Sequence, residues 1–324
     1  MSAAAETRNW LELPQDVTAS ILSRLGAIEI LNSAQNVCSL WRKISKDPSM
    51  WKSIDMRNLG DLFDMEYDLE KMCVHAVNRS CGHLLDINIE YFGTDELLFY
   101  ISERSTHLKR LRLFSCYSIS DEGLSEAASK LPFLEELEIF ICPVSKDALE
   151  TIGRNCPLLK SFKYNLQQHK SFHYASDDEA LAIAQTMPEL RRLQVLGNDL
   201  TNEGLQAILD GCPHLEYLDL RQCFNVHLGG NLEKTCVKRV KNLLRPYDST
   251  HDYEFYAGVH DTESSDEDYH LYGISDDDML ANGYDDYLAF PGASDFSDYD
   301  DYMSGNLDIA LLTAGLSDFS DADE

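Results

Sequence analysis

Six stretches of this chain repeat one pattern of leucines, and that pattern limits the possible folds more than any other feature. They are "HLLDINIEY" from His83, "HLKRLRLFSC" from His107, "FLEELEIFIC" from Phe133, "LLKSFKYN" from Leu158, "ELRRLQVLGN" from Glu189 and "HLEYLDLRQC" from His214. Each fits L-x-x-L-x-L-x-x-(C/N), closely or loosely. The first leucines (Leu84, Leu108, Leu134, Leu159, Leu190 and Leu215) lie 24, 26, 25, 31 and 25 residues apart. A unit this short cannot bury its apolar face alone, but stacked units share one continuous core. Helical patterns fill the intervals. Ser120, Ser145 and Thr201 are placed to cap them, and Ser176 with Glu179 has the capping-box spacing. Pro132, Pro157, Pro188 and Pro213 close each helix before the next strand.

Strand alternation then divides the residues. Leu111, Leu113, Leu137, Ile139, Leu193, Val195, Leu218 and Leu220 point inward. Cys116, Cys142 and Cys223 recur at the turn after the strand, where another repeat has Asn198. Cys81, Cys156 and Cys212 each precede a first leucine by three residues. Recurrence at two fixed slots makes them small buried packing residues. The pattern resembles the cysteine-containing leucine-rich-repeat class. The resemblance implies an α/β solenoid, a curved parallel sheet with outer helices, over residues 56–245 including a C-terminal cap.

The chain before residue 56 has a different character. "QDVTASILSRL" sets Val17, Ile21, Leu22 and Leu25 on one helical face, and a second amphipathic segment runs from Ile28 to Trp41 before stopping at Asp47-Pro48. Such short helices carry more apolar surface than they can bury among themselves. That surplus meets a partner or caps the open end of the solenoid. "WLELPQDVTASILSRL" followed by "VCSLWRKISKDPSMWKSIDM" resembles the F-box, over residues 8–55: the LP pair, the I-L-x-x-L helix, V-C-x-x-W-R and D-P-x-x-W occur in order. An F-box before such repeats is similar to the F-box/leucine-rich-repeat family of plants, the Skp-interacting-partner type. The resemblance implies a substrate receptor of an SCF (Skp–cullin–F-box) ubiquitin ligase, without catalytic residues or cofactor of its own. It implies that Trp10, Leu13, Pro14, Ile21, Leu22, Val37, Cys38 and Trp41 contact the Skp adaptor, which links to cullin and RING subunits. Trp51 is expected instead to begin the packing against the repeats, because "WKSIDM" reads as an extra, degenerate strand.

A receptor needs a surface for a protein substrate. The third, fifth and seventh positions of each repeat strand face outward by alternation. They are Asp86, Asn88, Glu90; Arg110, Arg112, Phe114; Glu136, Glu138, Phe140; Ser161, Lys163, Asn165; Arg192, Gln194, Leu196; and Tyr217, Asp219, Arg221. Arg110, Arg112, Phe114, Glu138, Phe140, Lys163, Arg192 and Tyr217 are the substrate-binding candidates. Acid stands beside base in neighbouring rows, a pattern that cross-strand pairing alone also explains. Phe114 and Phe140, in the same slot of adjacent repeats, are expected to form an exposed apolar patch.

Charge narrows the partners. The net charge is -29, and residues 246–324 hold 22 acidic residues and no Lys or Arg, against 34 acidic and 27 basic before them. Binding to nucleic-acid phosphates or anionic membrane needs clustered cations and is not expected. The nine cysteines, without a CxxC pair or a signal peptide, point to a reducing compartment, nucleus or cytoplasm. Walker A, HExxH, GxSxG and GxGxxG motifs are missing. His169 and His173 have H-x3-H spacing but lack a CxxC partner, and read as part of a surface loop. No metal site is expected. Residues 246–324 read as a disordered acidic tail. It serves solubility, or it covers the C-terminal rim near Arg221, drawn by Lys238, Arg239, Lys241 and Arg245.

Overall fold

The repeats stack in the expected register. The structure, a computed structural model, describes residues 13–58, 67–142, 144–166 and 175–253. Eight strands form one parallel sheet in chain order: β1 (Ser53–Met56), β2 (Asp86–Glu90), β3 (Arg110–Phe114), β4 (Glu136–Phe140), β5 (Ser161–Asn165), β6 (Arg192–Gln194), β7 (Tyr217–Asp219) and β8 (Asn242–Leu244). Each strand pairs equivalent positions. Ile54, Ile87, Leu111, Leu137, Phe162, Leu193, Leu218 and Leu243 thus form one row across the sheet. Seven helices return the chain between strands: α4 (Leu69–Arg79), α5 (Asp95–Arg104), α6 (Asp121–Ser129), α7 (Lys146–Asn155), α8 (Asp178–Thr186), α9 (Asn202–Gly211) and α10 (Gly230–Arg239). The inward leucines of strands and helices share one core.

Three recurring devices hold the period. The first is a left-handed residue after the strand: Tyr91, Ser115, Ile141, Gly197 and Gln222 all have positive φ. Each turns its N–H onto the next repeat, at 2.8 Å for Tyr91 to the Phe114 carbonyl and 2.9 Å for Ile141 to that of Asn165. Ile141, β-branched at φ 54°, is strained there, and the rung it completes keeps a buried amide paired. The second device is a relay of helix caps. Ser120 and Ser145 accept from the amides of Gly123 and Ala148, as expected. Each cap is in turn tied to the preceding repeat: Asp95 accepts from the Ser120 amide at 2.8 Å and Asp121 from that of Ser145 at 3.0 Å. The relay explains why Ser176 and Glu179 form no capping box. Asp177 stands at the cap position of α8, and its carboxylate accepts from the Thr201 amide at 2.7 Å.

The third device is the cysteine slots. Cys116, Cys142, Cys156, Cys212 and Cys223 are buried, and their thiols donate to carbonyls, as Cys223 does to Val195 at 2.9 Å. Burial pushes the Cys156, Cys212 and Cys223 thiols up to about 12, so they stay neutral. Cys81 departs from this pattern: it is exposed, in a left-handed turn.

The N-terminal helices divide between two cores. α1 (Gln15–Leu22) and α3 (Ser39–Ser45) close over Leu22, Ala34 and Ile44, with Leu40, Trp41 and Met50 alongside. α2 (Ala27–Asn32) instead sends Ala27, Ile30 and Leu31 into the repeat core. Part of the apolar surplus thus caps the solenoid through α2. Trp51 is the hinge pin. Its ring is buried in the repeat core, its Nε1 donates to the Ser45 carbonyl at 2.8 Å, and the Arg79 guanidinium lies 5.5 Å from the ring centre. Arg79 also donates to the Ser45 carbonyl at 3.2 Å and to Gln35 Oε1 at 2.8 Å. The strand expected from "WKSIDM" is β1.

Truncating Trp51 to Ala removes this joint and is expected to lower the unfolding free energy by about 3–5 kcal/mol in urea titrations. A second expectation concerns pH. Burial, then Arg79 and Lys46, push His75 on α4 down from 6.5 to about 4. Between those values the unfolded chain binds a proton that the folded chain does not, so stability is lost as pH falls from 6.5 towards 4. The melting temperature should drop between pH 7.5 and pH 5, and His75→Gln should shrink that drop.

Candidate protein-interaction surfaces

Two surfaces of different chemistry emerge, one on the N-terminal helices and one on the sheet. On the N-terminal helices, Val37 is 62% exposed, and Pro14, Val17 and Leu25 are exposed near half-buried Leu13, Ile21, Leu40 and Trp41. Val37 reaches solvent because it sits in the turn just before α3, while Ala34 and Ile44 turn under. Cys38 has a local task besides any partner: its sulfur caps α3 by accepting from the Trp41 amide at 3.5 Å. Leu22 is corrected. It is fully buried between α1 and α3 and holds them together, so it meets no partner directly. Trp10 lies outside the described residues.

The second surface is the solvent-facing side of the sheet. Its charged candidates are paired across strands as the alternation suggests. Arg110 reaches Asp86 at 3.1 Å and Glu136 at 3.9 Å; Glu138 takes Lys163 at 2.6 Å and Arg112 at 3.7 Å. Arg192 lies over the Tyr217 ring, 4.8 Å from its centre. An open groove of about 250 Å³ runs above β1 to β4, lined by Asp55, Arg57, Asn88, Arg110 and Arg112 among others. Partly exposed pairs of this kind each contribute roughly 0–1 kcal/mol, so an incoming charged chain can exchange them at small cost.

The aromatic patch is the larger correction. Phe114 and Phe140 are only 6% and 3% exposed. The strand register is right, because both rings lie on the same side as Arg112, whose guanidinium is 5.2 Å from the Phe140 ring centre. Neither ring joins the leucine core. What differs is the cover. Tyr91 packs edge-on against Phe114 at 5.3 Å, Phe114 lies 6.2 Å from Phe140, and Tyr253 lies 6.5 Å from Phe140. The whole row at the strand ends is shielded: Glu90, Asn165, Leu196 and Arg221 are buried too, as is Asp219 beside it.

From Phe140 to Arg221 the shield includes chain beyond the last repeat. The rungs continue past β8, with Gln222 N–H donating to the Pro246 carbonyl at 2.8 Å. Tyr247 then packs on Phe224, and the chain turns back over the sheet to Tyr253. Arg221 clasps it. Its Nε and Nη2 bond buried Asp219, while Nη1 donates to the Ser249 carbonyl at 3.0 Å and to Asp252 at 2.5 Å. Arg221 is thus the cation that the acidic segment finds. Lys241 is engaged with Glu216 and Arg245 lies near Glu233. The boundary expected at residue 245 moves to at least Tyr253; the rest of the tail, like His169 and His173, lies outside the described residues. Charge alone points the acidic segment to the rim near Arg221, but nothing in the sequence flags the ring contact of Tyr253 with Phe140, because Asp, Ser and Tyr in mixture read as solvated chain. Among the described residues no group of three or more His, Cys, Asp and Glu could hold a metal ion, and no helix is long and apolar enough to cross a membrane.

Comparison with known proteins agrees with this division. Residues 10–57 match the F-box-like family model, and residues 104–126 and 187–209 match a leucine-rich-repeat model. The F-box protein SKIP19 of Arabidopsis thaliana is 52% identical over 92% of this chain and 95% of its own length. The chain belongs to the F-box/leucine-rich-repeat family. The F-box protein FBW2 of the same plant is 30% identical over 88% of this chain and 91% of its own. Among solved structures, the leucine-rich-repeat protein LegL7 of Legionella pneumophila covers 63% of this chain and 69% of its own, at 11% identity and a TM-score of 0.38.

Because the two rings are buried, Phe140→Ala should be a stability mutation. It is expected to lower the unfolding free energy by about 3 kcal/mol or more in urea titrations, rather than leave the melting temperature unchanged as a surface ring would.

Proposed function

We propose that this protein is the substrate-recognition subunit of an SCF-type ubiquitin ligase. The observation that carries the reading is the apolar surface left on α1 and the turn before α3, centred on Val37, in a segment whose other apolar residues are already buried, in its own small core and in that of the repeats. The match to the F-box model over residues 10–57 supports an adaptor of the Skp type as the partner for that surface. Through the adaptor the receptor joins cullin and RING subunits.

In this role the receptor performs no bond chemistry. It holds a protein substrate near a charged ubiquitin-conjugating enzyme, and the gain is effective concentration and orientation. A firm joint between the two surfaces is then useful, and Trp51 with Arg79 supplies it. The substrate is met on the solvent-facing side of the sheet, where Arg110, Arg112, Glu138, Lys163 and Arg192 offer exchangeable charges and Tyr217 offers a ring.

Val37→Glu together with Pro14→Ala tests the adaptor surface with two exposed residues. Loss of a buried apolar anchor costs about 2 kcal/mol, so capture of the Skp adaptor should weaken roughly thirtyfold, while circular dichroism stays unchanged. Undiminished capture by the folded double variant would refute the reading.

A further inference from the structure

The chain's own strap shows what the shielded row of the sheet binds. We propose that this row is a recognition site for an acidic–aromatic step in a protein substrate, Asp followed by Tyr or Phe, and that Asp252-Tyr253 is an internal occupant which the substrate must displace. The proposal rests on the receptor reading for its biological use, but the site is argued from its own geometry.

The acidic half is set by Arg221. A guanidinium has five N–H donors in a fixed fork. Asp219, itself fully buried, takes the edge formed by Nε and Nη2, at 3.0 and 2.7 Å. The remaining edge points away from the sheet and meets a carbonyl, that of Ser249, and a carboxylate, that of Asp252. A carboxylate held by an arginine fork makes a charge-assisted bond, stronger than one between neutral groups. The bond to Arg221 also holds the Asp252 carboxyl below its ordinary 3.8, so it is anionic at neutral pH. Asp252 is nevertheless 58% exposed, at the outer edge of the clasp, where a competing carboxylate can approach.

The aromatic half is set by the rings. Tyr91, Phe114 and Phe140 form a file at centre distances of 5.3 and 6.2 Å, and Arg112 sits beside Phe140. Tyr253 continues the file at 6.5 Å. An aliphatic side chain would cover Phe140 without continuing the ring contacts, and Tyr presents an apolar body with a polar tip. Adjacent residues therefore satisfy both halves, the acid on Arg221 and the ring on Phe140.

The sequence repeats this step. Of the thirteen aromatic residues after Pro246, seven directly follow an Asp. Besides Asp252, the leading residues are Asp268, Asp286, Asp295, Asp298, Asp301 and Asp318. Chance placement in a segment with 18 Asp in 79 residues gives about three, so the tail is enriched in the dipeptide that the strap docks. Because these copies share the chain with the site, they would compete for it intramolecularly, at an effective concentration on the order of millimolar for a short flexible link. A substrate wins when it adds contacts that the strap lacks, on Arg110 or Lys163.

The test uses the full chain bound to the Skp adaptor and a fluorescein-labelled synthetic peptide of residues 247–256, followed by anisotropy. Three receptors are compared: wild type; Asp252→Asn with Tyr253→Ala; and that variant with Asp→Asn also at the six other pairs. Peptide affinity should rise at least tenfold from the first to the third. Gain already in the second marks the strap as the main occupant, and gain only in the third shows the other copies taking its place; both support the site. Peptides carrying Asp252→Asn or Tyr253→Ala should bind the third receptor at least tenfold more weakly than the native sequence. Should the double variant unfold, Asp252→Asn alone removes charge without volume and should raise affinity about threefold. No gain in any folded variant, or altered peptides binding as well as the native one, overturns the proposal. Failure of the wild-type chain to capture the adaptor would count against the receptor reading instead, because the peptide result is read on the sheet.

Discussion

Everything in this protein depends on the unbroken parallel ladder that begins at β1. A leucine-rich repeat has no stability of its own, so the sheet stands only if its first strand is held and each later strand meets its neighbour in register. Trp51 fixes the first strand. It is buried among repeat leucines while its indole N–H is spent on the helical segment before it. One side chain thereby sets where the ladder starts and how firmly the F-box is joined to it. The left-handed residue after five of the strands then helps carry the ladder on, rung by rung, as far as Pro246.

That continuity explains the strap. Because the last rung delivers the chain to the end of the sheet beside Arg221, the next residues are already within reach of the face they cover. Asp219 and Arg221 are 0% and 5% exposed at the side chain, a charge pair that desolvation would make costly if it were left half-bonded. Ser249 and Asp252 complete it. The acidic segment is therefore part of how the last repeat is finished, and the ring of Phe140 is met by the same turn of chain.

Much of this was legible in the leucines. Their spacing gave six of the eight strands in order, while β8 was missed because Asn242–Leu244 read as C-terminal cap, and alternation placed Leu111, Leu137 and Leu218 inside and Arg110, Arg112 and Glu138 outside. Periodicity reports direction, however, not cover. It aimed Phe114 and Phe140 correctly off the core and said nothing of Tyr253, which reaches Phe140 from more than a hundred residues away. Leu22 shows the same gap on a smaller scale: a motif marks it as important, but only packing tells whether it faces a partner or the neighbouring helix. Asp177 was hidden for another reason. Local capping rules favoured Ser176 with Glu179, and the next repeat's Thr201 made a better use of the acid between them.

The account divides the molecule into an adaptor-facing segment and a self-covered sheet, joined but separate in task. Hydrogen exchange of the full chain with and without the Skp adaptor measures that division directly. The account predicts new protection within residues 13–45, with the strand-end amides of Ser115, Ile141 and Gln222 unchanged. Protection that appears on those sheet amides, with residues 13–45 unaffected, would contradict it and place the adaptor on the surface assigned here to substrate.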